Sequence, residues 1–263
     1  MATYNKRGYK APKEKEEKVD NTFIEDQINI DEKDSATAGV FNSLDNTANK
    51  AEEWFEKNQK MIFGILGAFA LVVVGYLMYQ KLVAGPKEDE AANEMFMAQQ
   101  NFQKALDATG TATDSLFTLA LNGSEGKFGF KELADKYSGT DAGNLANYYA
   151  GFCYLNLKKN TEAIASLEKF KSDDMELSVL AEGGIGDAYA QQNKYKEALD
   201  HYVKASEMHK NDLNTPRFLL KAGQVALVSG NKTDALKYFQ QIKDNYDRSP
   251  EAQNVDALIG LAQ

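Results

Sequence analysis

The sequence has little cysteine, histidine or proline, and these shortages exclude several kinds of protein. A single cysteine, Cys153, rules out an intramolecular disulfide framework and a thiolate-rich zinc site. Two histidines, His201 and His209, leave little for a histidine-based metal centre. Four prolines in 263 residues argue against a proline-rich disordered chain. The net charge of −9 argues against nucleic acid as the main partner, because phosphate binding needs a basic surface.

Motifs for nucleotide binding and hydrolysis are missing as well. The sequence contains no GxxxxGK[ST], no GxGxxG after a strand, no HExxH and no GxSxG. We therefore expect neither catalysis nor a bound cofactor or metal ion.

One apolar run decides the expected topology. MIFGILGAFALVVVGYLMY, residues 61–79, has no charge, amide or proline. As a helix it would be about 28 Å long, close to the ~30 Å hydrocarbon core of a bilayer. We predict a transmembrane helix over 61–83; the alternative is a buried helix of a soluble core.

The distribution of positive charge predicts the orientation of this span. Lys50, Lys57 and Lys60 precede the apolar run 61–79, and Lys81 and Lys87 follow that run, a bias of three to two. The favoured arrangement keeps the short N-terminal tail in the cytoplasm and exports the larger part of the chain that follows the span. The alternative is the reverse topology, with that larger part in the cytosol.

The residues before the span form two segments. Residues 1–43 are rich in charge, as in KEKEEKVD, and predict a disordered cytoplasmic tail. Residues 44–60 have helical apolar spacing and predict a juxtamembrane amphipathic helix. Its Trp54 and Phe55 would contact either the bilayer surface or another membrane protein.

Small residues mark one face of the predicted span. Ala68, Leu71 and Gly75 return to within about 40° of Gly64 around the helix at ~100° per residue. Small side chains let a second helix approach closely, so this stripe is a candidate docking surface in the membrane.

The rest of the chain contains three copies of a helical pair. The copies begin NLANYYAGFCYLNLKKN, VLAEGGIGDAYAQQNK and PRFLLKAGQVALVSGN. Their glycines Gly151, Gly186 and Gly223 are 35 and 37 residues apart, and an alanine follows each after twelve residues. This is the tetratricopeptide-repeat pattern, in which small residues let the two helices of a pair press together.

The pattern predicts an all-α solenoid behind one N-terminal transmembrane helix. The three repeats occupy 144–248, and a capping helix over 249–263 starts at Ser249-Pro250. Residues 87–143 are predicted to form a long helix and a degenerate first repeat, interrupted by a glycine-bearing insertion at 109–127. Gly85-Pro86 is expected to be a short joint.

The first helix of each repeat should line a concave groove. The repeat pattern places eight residues there, with Arg217 as the one clear cation: Tyr148, Phe152, Asn156, Asp187, Gln191, Arg217, Leu220 and Gln224. This set lacks the clustered Lys and Asn of carboxylate-binding repeat proteins, which disfavours a terminal carboxylate ligand. The rings of Tyr148 and Phe152 either receive an apolar peptide or simply pack between helices.

The order of tail, span and repeats resembles that of the YfgM-type family. Residues 114–160 look especially similar to family members from Bacteroidota, and they read DSLFTLALNGSEGKFGFKELADKYSGTDAGNLANYYAGFCYLNLKKN. The resemblance covers about residues 45–263. It implies a non-enzymatic accessory subunit of the Sec translocon, with Sec translocon subunits and a PpiD-type periplasmic chaperone as partners.

Two other functions stay open from the residues themselves. One is an envelope scaffold for cell-wall synthesis, division or another secretion machinery. The other is a holdase chaperone that acts alone and suppresses the aggregation of unfolded clients.

Overall fold

The computed structural model describes residues 36–124 and 126–263. Most of the predicted disordered tail, 1–43, therefore lies outside the described residues. The chain divides into two compact units, Met1–Ala70 and Leu71–Gln263.

Helix α1 spans Ala36–Tyr79. Its residues up to Ala70 are the described part of the first unit, and its last residues belong to the second unit. It begins before residue 44 and runs through the predicted juxtamembrane and membrane segments without a break. Among the described residues, one helix is long and apolar enough to cross a membrane. Its most apolar 18-residue window has a mean hydropathy of 2.4, and none of that window is buried.

The expected joint at Gly85-Pro86 is helical instead. A π-helical turn, Gln80–Ala84, leads into helix α2, Gly85–Asp107, and the Gly85 N–H donates to the carbonyl of Gln80. Pro86 lies in the first turn of α2 and has no N–H to donate to the preceding helical turn. The helix nevertheless continues through the proline.

The region expected to be an insertion is mostly helical. Helix α3, Thr111–Asn122, packs against α2 and buries Phe117, Ala120 and Leu121. A two-residue hairpin follows, in which β1 (Gly123–Ser124) pairs antiparallel with β2 (Lys127–Phe128), and helix α4 covers Phe130–Lys136. Gly110 precedes α3 and Gly123 follows it, so the glycines lie at the ends of this helix and in the hairpin.

Three helical pairs come next, as the repeats predict. They are α5 (Asp141–Asn156) with α6 (Asn160–Lys169), α7 (Met175–Gln191) with α8 (Tyr195–Met208), and α9 (Asn214–Val228) with α10 (Lys232–Asn245). The expected capping helix is divided into a 3₁₀ turn, Pro250–Asn254, and helix α11, Val255–Ala262. The Ser249 side chain accepts from the Ala252 N–H and so caps this turn.

A glycine in the first helix of each pair lets the second helix approach closely. A Cβ at Gly151 would lie 2.5 Å from Leu167, one at Gly186 2.7 Å from Tyr202, and one at Gly223 2.4 Å from Phe239. Any larger residue would force these helices apart. Between repeats, Gly183 receives the Phe218 ring in the same way, at 2.0 Å from the position of a Cβ.

Candidate functional site

Two neighbouring pockets open along the first helices of the repeats. The larger, about 690 Å³, is called the aromatic pocket here, and helices α2, α5 and α7 form it. It is lined by Phe96, Gln99, Gln100, Phe102, Gln103, Leu106, Tyr148, Tyr149, Phe152, Leu177 and Leu180.

Stacked and edge-on rings build the floor of the aromatic pocket. Tyr149 lies 5.2 Å from Phe102 and 4.8 Å from Phe130, and Tyr148 lies 4.8 Å from Phe152, all between ring centroids. Such ring pairs hold one another in fixed orientations. Burial of Tyr148 raises the pKa of its hydroxyl to about 12, so it stays a neutral donor throughout the physiological range.

The second pocket, about 650 Å³, shares Phe152 with the first and is called the polar pocket. Residues of α5, α7, α8 and α9 surround it. It is lined by Phe152, Leu155, Asn156, Lys158, Asp187, Ala190, Gln191, Tyr202 and Lys221.

An ion pair between consecutive repeats crosses the polar pocket. The Asp187 carboxylate accepts from Lys221 Nζ at 2.5 and 2.8 Å and from the Tyr202 hydroxyl at 2.6 Å. Burial, followed by the negative charge of Asp187, raises the pKa of Tyr202 above its usual range. Lys221 on α9 therefore balances the charge of Asp187, and this ion pair ties repeat two to repeat three.

The structure brings five of the eight predicted groove residues into these pockets. Tyr148 and Phe152 line the aromatic pocket, and Phe152, Asn156, Asp187 and Gln191 line the polar pocket. Tyr148 is only 9% exposed, so most of its ring packs between helices.

Repeat three contributes differently from the expectation. Arg217 and Gln224 are exposed and Leu220 is half-buried against the core, and none of the three lines either pocket. Arg217 is the one cation of the eight predicted residues, whereas the cations that line the polar pocket are Lys158 and Lys221. The spacing of four residues between Arg217 and Lys221 on α9 was the available signal.

Helix α2 supplies a wall that the sequence analysis missed. It contributes six of the eleven residues of the aromatic pocket, among them Phe96 and Leu106, which are 57% and 55% exposed. Phe96, Gln99, Gln103 and Leu106 recur at helical spacing and so share one face of α2. That pattern could have been found in the sequence, but α2 does not match the repeat.

The residues predicted for membrane contacts all lie exposed on α1. Trp54 is 59% and Phe55 47% exposed, and Leu71 is 75% exposed. Gly64, Ala68 and Gly75 are exposed too, and a Cβ at Gly64 or Gly75 would meet no atom within 4 Å. The stripe is therefore open to a second helix.

Other reactive side chains are engaged in the fold. The Nδ1 atom of His201 lies 2.7 Å from the buried carboxylate of Glu182, which also pairs with Lys204 at 3.0 Å. Cys153 is fully buried, and burial raises the pKa of its thiol far above the usual range, which makes it a poor nucleophile. Within residues 36–124 and 126–263, no group of three or more His, Cys, Asp or Glu residues could hold a metal ion.

Comparison with known families agrees with this architecture. Residues 145–174 and residues 184–250 each match a tetratricopeptide-repeat family model. The chain matches no curated protein and no solved structure. The matched residues cover α5–α6 and most of α7–α10, which confirms the predicted all-α fold with its repeats. Tetratricopeptide repeats typically form non-enzymatic scaffolds for protein–protein interaction, and residues 145–174 and 184–250 of this chain carry such repeats.

Proposed function

We propose that the chain is a membrane-anchored scaffold that binds a protein segment in its repeat groove, as an accessory subunit of the Sec translocon. The observation that supports binding is the pair of pockets along α2, α5, α7 and α9, where aromatic and charged side chains face solvent. The resemblance to the YfgM-type family supports the translocon and a PpiD-type chaperone as the partners.

The anchor supports a role at the membrane. Helix α1 carries an apolar window that is long enough to span a bilayer, and its stripe of small residues is free for helix contact. In this proposal α1 holds the protein beside the channel in the bacterial inner membrane. The periplasmic repeats then bind a chaperone or an emerging polypeptide.

The test is recovery of partners with the full-length protein from mild detergent, identified by mass spectrometry. The docking variant is Gly64→Leu/Ala68→Leu/Gly75→Leu. The control, Ala70→Leu/Val73→Leu, enlarges side chains about 120° and 180° away from Gly64 around the same helix. We expect translocon subunits with the wild type and the control and their loss with the docking variant.

Each other outcome has a definite meaning. Translocon subunits recovered equally with all three proteins would keep the accessory role and move the contact to Trp54, Phe55 or the repeats. Recovery of peptidoglycan enzymes without translocon subunits would reject the proposal in favour of an envelope scaffold. Recovery of neither group would reject both.

A further inference from the structure

We infer that the aromatic pocket binds an extended, uncharged and apolar segment of a partner polypeptide. This inference rests on the proposed function, because it specifies which protein segments the groove accepts.

The first argument is the charge of the lining. None of the eleven lining residues carries a carboxylate, ammonium or guanidinium group. A charged side chain that enters the pocket would lose water without gaining a partner, which is costly. Apolar side chains have no hydrogen-bonded water to lose, and they bury apolar surface when they enter the pocket.

The second argument is apolar surface that the fold leaves open. Phe96 and Leu106 are 57% and 55% exposed at the rim, although the rings beneath them are packed. Apolar patches inside a concave surface favour binding, because covering them removes apolar area from water. A partner with its own apolar side chains would bury both surfaces at once.

The third argument concerns the backbone of the bound segment. Gln99, Gln100 and Gln103 place three amide groups along the α2 wall, each with an acceptor oxygen and an NH₂ donor. The NH₂ group of Gln103 already donates to the Asp107 carboxylate at 3.5 Å, so its carbonyl oxygen is the group left for a ligand. A helix satisfies its own backbone groups, whereas an extended segment has free N–H and C=O groups that need partners. Uncharged amides beside an apolar floor therefore favour an extended segment.

The α2 wall also sets the length of the bound segment. From Phe96 to Leu106 it runs ten residues, or ~15 Å of helix. An extended segment advances ~3.3 Å per residue, so about four or five residues fill the wall. Beyond Phe152 the polar pocket begins, where Asp187, Lys221 and Lys158 end the uncharged surface.

The experiment uses the full-length protein in lipid nanodiscs and fluorescein-labelled peptides, with empty nanodiscs as the blank. The reference peptide is Gly-Ser-Leu-Phe-Val-Leu-Ile-Ser-Gly. Three further peptides replace the central Val by Glu, Lys or Pro, and fluorescence anisotropy gives each dissociation constant. Because a buried unpaired charge is disfavoured, we expect the Glu and Lys peptides to bind about tenfold more weakly. The Pro peptide, which cannot form a helix there, should bind about as well as the reference.

Protein variants locate the binding. Phe96→Gln and Leu106→Gln should each weaken the reference peptide about fivefold, because both side chains lose apolar contact area. The matched control is Leu213→Gln, which changes a 65% exposed leucine outside both pockets and should have no effect. Equal binding of charged and uncharged peptides, or equal binding by all variants, would overturn the inference.

The two proposals fail separately. If the reference peptide binds as described while no translocon subunit is recovered with the protein, the inference holds and the proposed function is wrong. If translocon subunits are recovered and the Glu or Lys peptide binds more tightly than the reference, the proposed function holds and the inference is overturned.

Discussion

At the scale of single residues, three different residues adopt the same left-handed backbone conformation at one turn position of the repeats. Lys158, Asn193 and Gly230 each lie seven residues after the glycine of their repeat and adopt positive φ values of 60°, 58° and 83°. Glycine adopts this conformation freely and asparagine tolerates it, but lysine is strained there. Repeat one therefore carries a backbone strain that repeats two and three avoid.

We predict that Lys158→Gly raises the free energy of unfolding by about 0.5–1 kcal/mol, since it relieves the left-handed conformation. The measurement is urea unfolding of the full-length protein in detergent, followed by the near-UV circular dichroism of its tyrosines. Lys159→Gly removes the same charge at the next residue, where φ is −88°, and should be neutral or destabilising. Equal effects of the two substitutions would contradict the role of strain.

Residue spacing explains why so much of the repeat domain could be predicted. Within each pair of helices, the glycine of the first helix faces the second helix. The second helix brings an alanine, twelve residues after the glycine, and a large residue four positions later. Because these residues are close in the sequence, their spacing can be recognised there. Ala163, Ala198 and Ala235 are fully buried, and Leu167, Tyr202 and Phe239 fill the space beside the glycines. Both the presence and the type of the helices follow from this pattern.

At the scale of elements, long-range contacts carry the features that the sequence does not reveal. The Glu88 carboxylate, in the first turn of α2, accepts from the N–H groups of Asp141 and Ala142, both at 2.7 Å. It thus caps α5 from 53 and 54 residues away, while the Thr140 side chain accepts from Gly143. No local motif predicts such a cap.

Two more glutamates on α2 attach this helix to the C-terminal end of α4. The Tyr137 hydroxyl donates to Glu90 at 2.9 Å and to Glu94 at 2.8 Å, and Lys136 donates to Glu94 at 3.2 Å. Burial is the main cause that raises the pKa of Tyr137, which keeps this donor protonated. Helix α2, and with it the wall of the aromatic pocket, is therefore positioned by acidic residues that the repeat pattern does not contain.

We predict that Glu88→Ala destabilises the start of α5 by about 1–2 kcal/mol, because two N–H groups lose a charged acceptor at a helix N-terminus. Hydrogen exchange of full-length protein, read by mass spectrometry over 139–145, should show faster exchange at Asp141 and Ala142. Asp89→Ala removes an exposed carboxylate from the same turn and should leave that exchange unchanged. Equal protection in the two variants would show that Glu88 contributes little to the cap.

At the scale of the whole molecule, function depends on which side of the membrane holds the repeats. The ten Lys and Arg residues among the first sixty favour a cytoplasmic N-terminus, but the local bias of three to two is small. An export-side role requires periplasmic repeats. The same groove in the cytosol would serve a different set of partners.

Single cysteines can determine this topology, because Cys153 is fully buried and its thiol pKa is raised, so it resists labelling in the folded protein. We predict that in intact bacterial spheroplasts a membrane-impermeant maleimide labels Lys237→Cys, on α10, and not Asn49→Cys, on α1. Both side chains are exposed, so both variants should be labelled after lysis, whereas the unmodified protein should stay unlabelled throughout. Labelling of Asn49→Cys alone in intact spheroplasts would place the repeats in the cytosol and remove every export-side role. The predicted pattern would leave the groove facing the compartment where a translocated chain emerges, as the proposed role beside the Sec translocon requires.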